Sequence, residues 1–95
     1  MGAPDPAPAP MTGRRLQDGP VKGVFFAEGD YLYDPMTGRW WVRPPGGHLS
    51  DLNPEEFGSA IVVEADGTLT LTCSLHDPDN CWHGYLERGQ WRRVA

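Results

Sequence analysis

Beyond Pro20 the chain reads in alternation. Apolar and polar residues trade places in short runs separated by Gly, Pro, Asp and Asn, and no window keeps the spacing of an amphipathic helix. Residues 21–27, rich in β-branched and aromatic side chains, predict a first strand. Residues 31–42 predict a hairpin around Pro35 and Gly38. Pairing Asp34 with Arg39 sets Tyr33 against Trp40, Leu32 against Trp41, Tyr31 against Val42 and Asp30 against Arg43, so aromatics meet aromatics and opposite charges face each other. Residues 60–73 predict a second hairpin. A loop of Ala65, Asp66 and Gly67, with Gly67 left-handed, pairs Val63 with Leu69 and Ile61 with Leu71. That register gathers Ile61, Val63, Leu69, Leu71 and Cys73 on one apolar face, and a one-residue slip would scatter them. Residues 81–94 predict a third hairpin turning at Arg88 and Gly89, with Cys81, His83 and Tyr85 on one face and Trp82, Gly84 and Leu86 on the other.

Between these runs lie two loops and one helical turn. Arg43 to Ser50 carries two prolines and two glycines and reads as irregular, and His76 to Asn80 reads as a polar turn. Asn53 as cap, Pro54 in the first turn and Glu56 reaching back predict a short helix over 54–57, ended by Gly58. The fold class is therefore mostly β, a small antiparallel sheet built from hairpins, with Tyr31, Val63, Leu71 and Tyr85 in a shared interior.

Composition narrows the domain. The Pro/Ala-rich start has no apolar periodicity, so residues 1–19 are expected to be a disordered tail and residues 20–95 a single small β domain. Met11 is an alternative start to Met1. The run Met11-Thr-Gly-Arg14 recurs at Met36-Thr-Gly-Arg39, with nothing matching around it, and is read as coincidence. The net charge of −5 argues against a nucleic-acid partner and leaves a protein as the expected one. With no secretory leader and no apolar run of membrane-spanning length, the sequence predicts a soluble, cytoplasmic protein with no membrane association.

Candidate chemistry concentrates between Cys73 and Arg93. Cys81 and His83 share a strand face and make a workable pair of zinc ligands, with His48 and His76 as further donors. Cys73 and Cys81 flank one loop and are a possible disulfide, although two reduced thiols are the default in a reducing compartment. Catalysis is disfavoured: Cys81 and His83 would stand parallel on one strand, and a chain this small rarely encloses a pocket. Four tryptophans exceed what so small a core requires: packing across a small open sheet accounts for them first, but exposed Trp beside Arg is the composition of a binding hot spot, and recognition is the function taken from it. The predicted binding surface is Trp41, Trp82, His83, Tyr85, Trp91 and Arg93.

Two stretches, Ala65-Asp-Gly-Thr-Leu-Thr-Leu-Thr-Cys-Ser-Leu75 and Trp82-His-Gly-Tyr-Leu-Glu-Arg-Gly-Gln-Trp91, resemble a group of short uncharacterised domains of actinobacteria and their phages. This is a domain of unknown function, sometimes mislabelled ammonia monooxygenase. Fuller members carry a Cys-Pro-x-Cys-Gly knuckle ahead of these stretches, where this chain reads Arg43-Pro-Pro-Gly-Gly-His48. The resemblance implies no activity. It fits a small accessory or interaction protein, the alternative being a zinc-stabilised domain or metal-dependent enzyme.

Overall fold

Ten short strands form among residues 10–77 and 82–94, the residues that the computed structural model describes, with only the backbone described at Asp77 and Trp82. In chain order they are β1 (Met11–Thr12), β2 (Arg14–Arg15), β3 (Asp30–Asp34), β4 (Arg39–Val42), β5 (Ser50–Leu52), β6 (Ile61–Val63), β7 (Leu69–Leu71), β8 (Leu75–Asp77), β9 (Trp82–Glu87) and β10 (Gln90–Arg93). A helical turn, α1 (Pro54–Phe57), runs into a 3-10 turn (Gly58–Ala60). The strands make a sheet in the order β1-β10-β9-β8, a second in the order β2-β3-β4-β5, and the two-stranded β6-β7. The fold is mostly β, and every pairing is antiparallel except β2 with β3.

The predicted registers of the first two hairpins are the observed ones. Tyr31 pairs with Val42, Leu32 with Trp41, Tyr33 with Trp40 and Asp34 with Arg39, and Gly38 closes the turn at φ 72°. Ile61 pairs with Leu71 and Val63 with Leu69, and Gly67 sits at φ 86° in the connecting loop. The α1 cap is also as read: Asn53 Oδ1 accepts from the Glu55 amide at 2.9 Å, and Pro54 fills the first turn.

One core joins the sheets. Tyr31, Trp40, Val42 and Leu52 enter it from β3, β4 and β5, Leu69 and Leu71 from β7, and Leu75, Leu86 and Trp91 from β8, β9 and β10. From β6 only the half-buried Ile61 packs against this core. Val63 is 50% exposed and Cys73 is exposed, so neither joins the apolar face expected of them. The shared interior expected around Tyr31, Val63, Leu71 and Tyr85 keeps only Tyr31 and Leu71. Burial pushes the Tyr31 phenol above its ordinary value.

Three further expectations are corrected. Residues 21–27 form no strand. They run as a turn and loop in which Val24 N–H donates to Val21 O and Arg43 Nη1 donates to Phe26 O, so Phe26 is buried while Phe25 is exposed. Asp30 is not served by the Arg43 side chain. Its buried carboxylate accepts Arg14 Nη2 at 2.8 Å, Arg14 Nε at 3.2 Å and the Ala27 amide at 2.9 Å. Arg39 reaches across to Asp51 on β5 rather than to Asp34.

The third correction concerns the N-terminal segment. Residues 1–9 lie outside the described residues, but the segment from Met11 to Gly19 is tied down rather than trailing. β1 pairs with β10 and β2 with β3, and the Leu16 and Gly19 amides donate to Tyr31 O and Tyr33 O. The chain passes from one large sheet to the other at Gly13. Its amide donates to Gly89 O at 2.7 Å, and a Cβ there would stand 2.7 Å from Gly29 O and 2.9 Å from both Gly89 O and Trp91 Nε1. Only a residue without a side chain fits that crossing.

Candidate functional site: an open sheet face

The β9-β10 hairpin turns on two residues, Arg88 at φ 50° and Gly89 at φ 75°, the geometry that suits a two-residue connection. The turn is docked: the Gly89 amide donates to Leu69 O, and the Arg88 amide to Thr70 Oγ1, both at 2.9 Å. This fixes the register, with Glu87 opposite Gln90, Leu86 opposite Trp91, Tyr85 opposite Arg92 and Gly84 opposite Arg93. On the other flank of β9, Leu75 lies opposite Gly84 and His76 opposite His83.

Alternation then divides the sheet cleanly. Leu75, Leu86 and Trp91 turn inward and are buried, whereas His76, His83, Tyr85, Glu87, Gln90 and Arg92 are exposed. The exposed set includes a continuous row of flat groups crossing three strands. The His76 and His83 rings lie 5.3 Å apart, His83 and Tyr85 lie 6.5 Å apart, and the Arg92 guanidinium stands 5.7 Å from the Tyr85 ring centre. A cleft of about 430 Å³ adjoins the Tyr85–Arg92 end, lined also by Glu64, Thr72, Glu87 and Arg88.

Of the predicted binding surface, His83 and Tyr85 belong to this face. Trp91 does not: it is 1% exposed and its Nε1–H donates to Gly29 O at 2.8 Å, which makes it part of the interior. Trp41 is half-buried in the other sheet, on β4. Arg93 is exposed but lies opposite Gly84, so alternation carries it to the other side of β10 from Arg92. The side chain of Trp82 lies outside the described residues.

The expected metal donors are only partly brought together. His76 and His83 are direct neighbours, His48 lies in the loop between β4 and β5, and Cys81 lies outside the described residues. Among the described residues no group of three or more His, Cys, Asp or Glu side chains is placed to hold a metal ion. Cys73 is a free, exposed thiol, and the alternative disulfide would need Cys81, which lies outside the described residues.

His76 and Arg92 were the residues that sequence reasoning left off the surface, and the signal for both was present. A two-residue turn at Arg88 and Gly89 places Trp91 on the Leu86 face and Arg92 on the Tyr85 face. A turn-forming Asp-Pro-Asp-Asn run calls for a strand on each side, which makes Leu75, His76 and Asp77 a strand rather than the start of the turn. Among the described residues no helix is long and apolar enough to cross a membrane. Comparison of the chain with protein-family models, curated proteins and solved structures found no match.

Proposed function

We propose that this chain is a non-enzymatic interaction domain, cytoplasmic in setting, that binds a protein partner through the outer face of β8, β9 and β10. The observation that carries the reading is the row His76, His83, Tyr85 and Arg92, four flat or charged groups aligned on a solvated face that the core does not use. Tyr and Arg are the side chains that most often anchor protein interfaces, because each supplies a large rigid contact area with a polar end. The neighbouring cleft offers carboxylates and arginines together, which favours a partner segment of mixed charge over a phosphate backbone. The net charge of −5 argues the same way. The likeness of residues 65–75 and 82–91 to actinobacterial and phage domains supports an accessory role in such a cell or its phage.

A photo-crosslinking amino acid placed at His83 tests this against the same group placed at Met36, an exposed residue in the β3-β4 turn. In an actinobacterial lysate, position 83 should give a discrete adduct that position 36 does not. Equal labelling at both positions, or none at 83, removes the reading.

A further inference from the structure

We infer that His76 and His83 form a two-imidazole chelate for a late first-row divalent cation, with Zn2+, Ni2+ and Cu2+ as the class of ligand. This goes beyond the interaction reading and does not depend on it. The two residues are directly opposed across an antiparallel pair, and the ladder on either side of them holds the register: Leu75 opposite Gly84 and Asp77 opposite Trp82. Residues so placed carry their Cβ atoms about 5 Å apart, a span fixed by the backbone rather than by the side chains.

The ring geometry fits a shared cation. A zinc–nitrogen bond of about 2 Å, with each ring centre roughly 1.1 Å behind its nitrogen, puts the centroids of two imidazoles on one tetrahedral ion about 5 Å apart. The observed separation is 5.3 Å, with the planes tilted by 57°. A tilted ring pair such as Tyr33 and Trp40 has a similar separation, 5.1 Å at 47°, so the ring geometry permits the chelate and the cross-strand register carries it. Both imidazoles are exposed and meet in water.

Imidazole selects zinc, nickel and copper over magnesium and calcium. The negative net charge of the chain raises the local concentration of cations. Among the described residues no third donor of the His, Cys, Asp or Glu type joins them, and the two imidazoles are the ligands the inference rests on.

Calorimetric titration with Ni2+ and with Zn2+ tests the chelate. The parent is the full chain carrying Cys73→Ser and Cys81→Ser, so that thiol coordination cannot supply the signal. The parent should bind one ion, His76→Gln and His83→Gln should each weaken binding about 100-fold through loss of the second tethered donor, and His48→Gln should change nothing. Because both imidazoles are solvent-exposed, the variants should retain the parent's far-ultraviolet spectrum. Metal should raise the melting temperature of the parent but not of either variant. Absence of binding by the parent, unchanged affinity in either His76 or His83 variant, or loss of binding with His48→Gln overturns the inference.

Discussion

The two four-stranded sheets use the same hairpin chemistry and end in opposite conditions. In β2-β3-β4-β5 one face is covered and the centre of the other is buried too, with the partly exposed Arg39, Trp41 and Asp51 around it. Tyr31, Trp40, Val42 and Leu52 face the common core, while on the reverse Leu32 is 1% exposed and the carboxylates of Asp30 and Asp34 are buried. Those carboxylates are satisfied locally, Asp34 by the Met36 amide and Asp30 by Arg14 and the Ala27 amide. In β1-β10-β9-β8 only one face is covered, and the other carries imidazole, phenol, guanidinium and carboxylate groups in water. A sheet buried on one face and at the centre of the other has most of its side chains committed to folding. A half-covered sheet keeps every second residue available for a ligand, which is why the functional reading falls on His83 and Tyr85 rather than on the equally aromatic Tyr33 and Trp40.

The sharpest way to break this contrast is at Trp91, on the covered side of the open sheet. Trp91→Ala removes a fully buried indole and orphans Gly29 O, and should cost about 3–5 kcal/mol. In a domain this small that is most of the stability, so denaturant titration should find the variant largely unfolded. Trp91→Phe keeps most of the apolar area and should lose only part of that. A Trp91→Ala variant as stable as the parent would mean that the indole is surface after all, and would return it to the binding face.

The next largest effect lies at Gly13, where the two sheets are joined. Gly13→Ala forces a methyl group against Gly29 O, Gly89 O and the Trp91 indole. Two of these are backbone atoms with little room to yield, so the cost should be about 1–3 kcal/mol. Hydrogen exchange should then show faster exchange at the Gly13 and Leu16 amides, which bond to Gly89 O and Tyr31 O. Unchanged protection there would show that the crossing tolerates a side chain.

Gly13 also marks the limit of what could be read in advance. Met-Thr-Gly-Arg occurs twice, and the two copies fold differently. At residues 11–14 it is extended and passes from β10 to β3; at residues 36–39 it closes a hairpin, with Gly38 at φ 72°. The second was legible because its partners are a few residues away and its turn residues announce it. The first was not, because its bonds go to Gly89 and Asp30, and nothing local distinguishes it from a tail. β5 and β8 escaped for a related reason, being three residues each beside loops of strong turn composition. In the candidate site, alternation puts His83 and Tyr85 on one face of β9, but nothing local says which face looks inward, so Tyr85 is expected both in the interior and on the surface. Trp91 becomes legible as interior only once the two-residue turn sets it opposite Leu86.

The smallest expected effect is the one that separates the two faces most cleanly. Tyr85 is 36% exposed, and its ring contacts lie along its own face: the His83 ring at 6.5 Å and the Arg92 guanidinium at 5.7 Å. Cross-strand contacts of this kind contribute about 0.2–1 kcal/mol, so Tyr85→Ala should shift the denaturation midpoint slightly and leave the strand content intact. If the outer face is where the chain works, the same substitution should abolish the adduct formed from position 83, since the ring lies between that position and Arg92. Trp91 and Tyr85 sit on strands joined by one two-residue turn and differ only in the face they occupy. A loss at Tyr85→Ala approaching that at Trp91→Ala would mean that both faces are structural, and the distinction between a committed and an available side of this sheet would fail.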